Sequence, residues 1–448
     1  MKKFIKKMIP HAVALGLFGA AGVIQAAVNV QCPGDLNGDG DYTDVEIGET
    51  PPAGDVKCMH LIAGDGFANM SDGNPLYIFG YADITGTAPE NAIADGILAA
   101  DWPGPTIVLD EGQEFYLSLT NVGTVIRPDL FDAHTVHFHG FPNASAAFDG
   151  VPEVSISVNM GASLSYYYNI VEPGTYLYHC HVEATEHMEM GMLANLYVHA
   201  GQDERGYDVN RDGTIDAGEL AATQGTRKGG APGNPMGYAY NDGDGTTAFD
   251  REQALQISSF DSRFHDASLF VQPLPFAALE GDYPQINGRG YPDTVKANDG
   301  MGPPVDNTTA VDGHAPGKVT GIPGEILNNG DLSQEIGSLV EVTQGENLLL
   351  RLSNVGLDRF YTLTAPGLTM KVVGTGARQM RGITGKNLYR ETASVNFGGG
   401  ETNDVMIDTT DIAPGTYFLH AAEFHQMSNL TQMDGGMMTE IVVKAPTL

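Results

Sequence analysis

The sequence predicts an all-β chain of two sandwich domains, and three observations predict it. The first is an internal repeat: Glu111-Gly-Gln-Glu-Phe-Tyr-Leu-Ser-Leu-Thr-Asn121-Val-Gly123 parallels Gln344-Gly-Glu-Asn-Leu-Leu-Leu-Arg-Leu-Ser-Asn354-Val-Gly356. Pro173-Gly-Thr-Tyr-Leu-Tyr-His179 likewise parallels Pro414-Gly-Thr-Tyr-Phe-Leu-His420, and Gly191-Met192 parallels Gly436-Met437. The second is the alternation of apolar and polar residues in short runs, the pattern of half-buried strands. The third is the density of turn formers, 57 glycines and 25 prolines in 448 residues. One repeat copy is placed at 75–200 and the other at 253–448. Residues 201–252, rich in Gly, Asp and Asn, are the linker between them.

Taken in order, residues 1–26 carry Lys2, Lys3, Lys6 and Lys7, then an apolar run from Ala12 to Ile24 and small residues at Ala26 and Ala27. This is the pattern of a secretory signal peptide. It predicts export, to a periplasm or to the outside or surface of the cell. No other apolar stretch approaches the ~18 residues of a spanning helix, so no membrane span is expected. The formal charge of -33 excludes nucleic acid as a partner and disfavours anionic lipid.

Residues 27–74 read as an N-terminal segment. Two of the three cysteines, Cys32 and Cys58, form an even pair in an exported chain, and a disulfide is expected between them. The loop they close holds Asp35, Asn37, Asp39, Asp41 and Glu46 at EF-hand calcium spacing, with Gly40 for the sharp turn. A second copy lies in the linker at Asp208, Asn210, Asp212, Thr214 and Glu219. Without a convincing helix on both sides, these read as isolated structural calcium loops of the dockerin type. Asn241-Asp242-Gly-Asp244-Gly245 lacks the closing carboxylate and reads as a turn.

The chemistry concentrates in Pro173 to Met192, PGTYLYHCHVEATEHMEMGM. A thiolate, imidazoles and a thioether form a soft ligand set, which selects copper over harder divalent ions. In an extended segment Cys180 faces one way while His179 and His181 face the other, ~7 Å apart. One strand can thus serve two metal sites. Upstream, His134-Thr-Val-His137-Phe-His139-Gly140 again puts two histidines on one strand face.

HTVHFHG followed by HCH, a later His and a Met resembles the multicopper oxidase family. The resemblance implies cupredoxin-like Greek-key sandwiches and a type 1 copper on His134, Cys180, His187 and Met192. It implies type 2 and type 3 ligands at His137, His139, His179 and His181. The five residues between His181 and His187 exceed the family's usual three, which brings Met188 and Met190 into contention for the axial position.

In the second copy Ala421 stands opposite Cys180, Ala422 opposite His181, and Phe360-Tyr361-Thr362-Leu363 replaces the HxH strand. A type 1 copper there is excluded for want of a thiolate. His420 and His425 are its candidate ligands. The family's trinuclear cluster takes four HxH pairs, and this chain offers two. Two-domain copper nitrite reductases place a second copper between subunits; by position His139, His179 and His420 match that pattern, while His137 and His181 depart from it. The expected function is therefore an exported copper oxidoreductase, with a small molecule or a protein as electron donor. One alternative is a nitrite-reductase-like enzyme, and another is a calcium-stabilised blue-copper carrier or surface protein without catalysis. Copper sequestration is a weaker third reading. A homotrimer is expected, with the second copper between the first domain of one subunit and His420 of the next.

Overall fold

The structure is a computed structural model that describes residues 28–142, 144–296, 334 and 336–446. The leader expected at 1–26 lies outside the described residues. The first domain pairs two four-stranded sheets. One runs β2 (Pro75–Asp83), β1 (Val56–Asn69), β4 (Glu114–Gly123), β6 (Ser163–Asn169). The other runs β3 (Ile107–Asp110), β8 (Leu193–His199), β7 (Gly174–His179), β5 (His137–His139). Their inward faces supply Leu61, Phe115, Leu117, Tyr166, Tyr178 and Leu196, all buried, as facing sandwich sheets require.

A small hairpin, β9 (Gly237–Tyr238) with β10 (Ala248–Phe249), leads into the second domain. One of its sheets contains β12 (Tyr283–Ile286), β11 (Arg251–Phe260), β14 (Asn347–Asn354), β20 (Thr402–Asp408), β16 (Met370–Thr375) and β17 (Arg378–Gln379), with β18 (Arg390–Thr392) also on β16. The other contains β13 (Val340–Thr343), β22 (Met438–Lys444), β21 (Gly415–Ala421), β15 (Tyr361–Thr364) and β19 (Ser394–Phe397).

The repeat read from the sequence is a repeat of structure. Asn121 and Asn354 end equivalent strands, and each accepts the N–H of the glycine two residues on at 2.9 Å. Each also donates its amide across the sandwich, to the carbonyls of Val158 and Phe397, again at 2.9 Å. The asparagine is thus a corner post, because its side chain satisfies backbone groups that the turn would leave unpaired.

The first domain begins earlier than the boundary at 75. Val56–Asn69 is a strand of its sheet, pairing with β2 and, in parallel, with β4. The expected pairing of Cys32 with Cys58 is present, with sulfurs 2.04 Å apart, and it ties the N-terminal segment to β1. In that segment Asp35 accepts the N–H groups of Gly38 at 2.6 Å and Gly40 at 2.9 Å. The carboxylate folded into the first loop is Glu49. Glu46 is exposed, whereas Glu49 is buried and accepts from Leu36 at 2.8 Å and Asp44 at 3.0 Å. Three more residues of chain come round before the loop closes. In the second loop Glu219 accepts from Asn210 at 2.9 Å and Asp216 at 3.1 Å. That loop leads into a short helix, Ala217–Thr223, capped by Asp216. Asp242 forms a turn, accepting from Asp244, Gly245 and Thr247.

The two domains meet across a polar seam. Arg351 on β14, fully buried, pairs with Glu252 at 2.8 Å and lies 3.6 Å from Asp404. Its guanidinium stands 4.9 Å from the Tyr197 ring of the first domain. Thr175 of β7 donates to Asp404, while Thr402 donates to the Thr175 carbonyl at 2.7 Å. His199 at the end of β8 bridges Asp110 and Glu252. This seam fixes the second domain over the outer face of β7, where His179 lies.

Candidate metal centre

His134, Cys180 and His187 meet in the buried interior of the first domain. His134 is placed by a bridge to Val158; Cys180 follows β7, its N–H donating to the Met192 carbonyl at 3.0 Å. His187 rides on a short helix, Ala184–Glu189. The loop between His181 and His187 carries the start of that helix, which follows Glu183 in a left-handed conformation at φ 45°. Cys180 Sγ lies 3.3 Å from His187 Nδ1 and 3.8 Å from His134 Nδ1. Among the described residues this trio is the one group of three His, Cys or acidic side chains whose ligand atoms fall within 4.8 Å of one another.

Burial opposes charge at Cys180, yet the His187 and His134 rings beside it bring its thiol well below the usual range. Burial likewise opposes charge on His187, but the Cys180 thiolate and then Asp132 push it up to about 10. Asp132 Oδ2 stands 3.9 Å from His187 Nε2 on the solvent side. Met192 and Met190 are both fully buried in the surrounding core. Met188 is turned elsewhere, into the second cavity.

That second cavity, about 600 Å³, collects the other four histidines. His137 pairs with His179 across β5 and β7, and their rings stand 5.2 Å apart. His137 to His181 is 5.1 Å, His179 to His181 5.7 Å, and His137 to His139 6.0 Å between ring centres. Nδ1 of His179 lies 2.8 Å from the Cys180 carbonyl, and Nδ1 of His137 meets the Asp149 carbonyl. A carbonyl can only accept, so Nδ1 carries the proton and Nε2 keeps a free lone pair, as metal-binding histidines require. Burial pushes His179 down to about 3, which keeps it neutral.

The far wall of the cavity comes from the second domain of the same chain, Gly356–Phe360 and Gly398–Glu401. Sequence patterns gave no signal for it. Gly400 fits there because a side chain would press on His139, 2.9 Å from its Cε1. Arg359 and Asp358 face the histidines from this wall and pair with each other at 2.7 Å. His420 does not line the cavity. It stands on β21, with Nδ1 2.8 Å from the Ala421 carbonyl, the same posture as His179 one repeat earlier. His425 accepts from Arg359 at 3.1 Å. The structure thus brings together eight of the nine predicted copper residues around two adjoining sites, and leaves His420 apart.

Models of the multicopper oxidase family match residues 91–203 and 291–446. Among curated proteins, the iron transport multicopper oxidase FET3 of Gibberella zeae is 33% identical over 101 residues, 21% of this chain and 15% of that protein. The iron transport multicopper oxidase fetC of Epichloe festucae is 35% identical over 83 residues, 18% of this chain and 12% of that protein. The matched stretch spans only a small part of the length of these relatives. Among solved structures, the chain is similar to the blue copper oxidase from Nitrosomonas europaea, with a TM-score of 0.54 and 18% identity over 86% of this chain and 85% of that one. It is also similar to the multicopper oxidase mgLAC, with a TM-score of 0.53 and 17% identity over 87% of each chain. At such identities the likeness is one of fold, and it agrees with the family models. With its residues matched by those models in both halves, the chain belongs to the multicopper oxidase family.

Proposed function

We propose that this chain is an exported copper-dependent oxidoreductase that takes single electrons from a donor at a type 1 site and delivers them to dioxygen or another small oxidant at a second, histidine-bound site. The observation that carries this reading is the position of Cys180: its Sγ sits in the His134 and His187 cluster, while its two chain neighbours, His179 and His181, line the other cavity. The donors fit copper, because a buried thiolate with two imidazole nitrogens is a soft set. Copper, when bound, supplies the one-electron redox chemistry that no side chain here offers.

The chain's own residues do the rest. Burial of Cys180, His134 and His187 keeps water from the thiolate side of the first site. Asp132, partly exposed with its Oδ2 3.9 Å from His187 Nε2, marks the side on which an electron donor approaches. The carbonyls of Cys180 and Asp149 aim His179 and His137 into the cavity. A covalent path of few bonds joins Cys180 Sγ to the imidazoles on either side. His139→Ala is expected to remove non-blue copper and donor-driven oxygen uptake while leaving the blue band in place. Unchanged oxygen uptake in that variant contradicts the assignment of the second site.

The blue-copper carrier is the second reading, favoured by a far wall that supplies arginine, carboxylates and glycines where a full cluster has histidines. It differs from the enzyme in holding one copper per chain.

The two acidic loops are calcium sites in this account, serving stability and not chemistry, since both lie away from the histidines. Calcium bound only to the native state stabilises it by about 2.7 kcal/mol at 100 times Kd. Removing calcium with EGTA should therefore lower Tm in the native chain. Glu49→Gln should diminish that response whereas Glu46→Gln should not, because Glu49 is the carboxylate folded into the loop. Equal loss from both variants contradicts the assignment of Glu49.

A further inference from the structure

Between β11 and β12 the second domain carries a helix, Ser262–Leu269, whose buried face lies on the first domain. Phe264, His265, Ser268 and the partly buried Leu269 share one side at helical spacing, while Arg263 and Asp266 are exposed. Phe264 is fully buried in the core of the first domain, the cluster that holds Cys180, Met190 and Met192, and Leu269 packs against it. His265 Nδ1 donates to the Tyr77 carbonyl of β2 at 2.7 Å, and Arg127 of the first domain donates to the Ser268 carbonyl. The helix is thus tied to the first domain along its length.

The start of this helix meets the loop that joins two of the type 1 residues, His187 and Met192. Asp261 caps the helix, its carboxylate accepting from the Arg263 N–H at 3.0 Å. The Asp261 N–H itself points outward, and Glu189 Oε1 accepts it at 2.7 Å. Both residues are buried, Glu189 to 4% exposure and Asp261 to 0%. A carboxyl group taken this far from water is costly unless it is hydrogen-bonded, so Glu189 and the helix hold each other in place. One residue earlier, Phe260 closes on the same loop. A side chain added at Gly191 would meet Trp102 at 3.4 Å and Phe260 at 3.6 Å, and those two rings are 4.2 Å apart.

The first domain holds the rest of the loop. Phe79 donates its N–H to the Met190 carbonyl at 2.9 Å, Met192 to the His187 carbonyl at 2.8 Å, and Cys180 to the Met192 carbonyl at 3.0 Å. The Phe79 ring also stands edge-on to His187, with centres 5.8 Å apart. Glu189, two residues after His187 and three before Met192, hydrogen-bonds this loop to the second domain.

We propose that Glu189 is a positioning residue of the type 1 site, and that the helix Ser262–Leu269 is the brace by which the second domain fixes the His187–Met192 loop of the first. The inference rests on the type 1 reading above. The brace keeps the loop pressed on the core, so that Cys180 has no exposure to solvent. The shell around a copper thiolate sets solvent access, and through it the reduction potential. With the brace released, water reaches the site, the cupric form is favoured and the potential falls.

The test is a potentiometric titration of the blue band, with EPR, on the full copper-loaded chain. Glu189→Leu removes the acceptor at similar volume, and should lower the potential and widen the copper hyperfine splitting while type 1 copper stays bound. Glu189→Gln keeps an oxygen for the Asp261 N–H and should stay close to native. If Glu189→Leu folds poorly, Phe264→Leu loosens the helix from its other side and should lower the potential in the same direction. A native potential and EPR spectrum in the leucine variants, whatever happens to Tm, would show a structural role only and overturns the proposal. So does a Glu189→Gln variant shifted as far as Glu189→Leu. A native chain without blue absorption overturns the type 1 reading and this proposal with it, whereas a blue native chain indifferent to these substitutions overturns this proposal alone.

Discussion

Replacing Cys180 with serine is expected to abolish the intense blue absorption of the copper-loaded protein and to bring donor-driven turnover to background. The band requires a thiolate that donates charge to Cu(II), and Cys180 is the chain's free cysteine. Its Sγ lies between the Nδ1 atoms of His134 and His187 with no exposure to solvent. A serine hydroxyl is a harder donor and stays protonated at neutral pH, so two imidazoles are left without their anionic partner. The four histidines of the second cavity do not depend on the sulfur for their positions, being set by the β5 and β7 ladder. Non-blue copper should therefore persist in the variant. Visible spectroscopy and oxygen uptake check both halves, and a variant that keeps its colour contradicts the type 1 assignment.

Arg351→Met should produce the largest loss of stability among single substitutions outside the metal sites. The guanidinium is fully buried between Glu252, Asp404 and the Tyr197 ring. Methionine keeps much of the volume but leaves two buried carboxylates without their cation. Removing one partner of a buried ion pair costs about 3–5 kcal/mol, because an uncompensated charge stays behind. In a domain of this size that lowers Tm on the order of 10 °C. Adding Glu252→Gln and Asp404→Asn should recover part of the loss, since the stranded charges are then gone. Calorimetry of the three proteins decides, and a single variant within ~1 kcal/mol of the native chain would show that the seam is not held by this cluster.

Much of this architecture was legible because it repeats. The glycine, asparagine and histidine positions of the two copies recur at matching places, and Asn121 and Asn354 recur because each turn demands the same backbone partners. The first metal trio and the four-histidine face were legible because ligand chemistry restricts both residue type and spacing. The disulfide followed from the number of cysteines. Strand β1 was not legible, because His60 and Gly64-Asp65-Gly66 interrupt its apolar pattern. Asp65 is buried to accept from Val125 at 3.0 Å, Ile126 at 2.8 Å and Tyr77 at 2.9 Å, partners that only the fold brings near. The inward place of Glu49 was not legible because EF-hand spacing points three residues earlier, to Glu46. The far wall of the cavity was missed because glycine loops carry no ligand signature, and Arg351 because an arginine within an apolar strand reads as a solvent-facing residue.

Whether one strand serves two copper sites is decided by the copper content of the purified chain, counted together with its EPR spectrum. Two or more coppers per chain are expected, one giving the narrow hyperfine pattern of a thiolate-bound type 1 site and the remainder lost in the His139→Ala variant. One copper per chain, all of it blue and unaffected by His139→Ala, would contradict the second site and leave an electron carrier in its place.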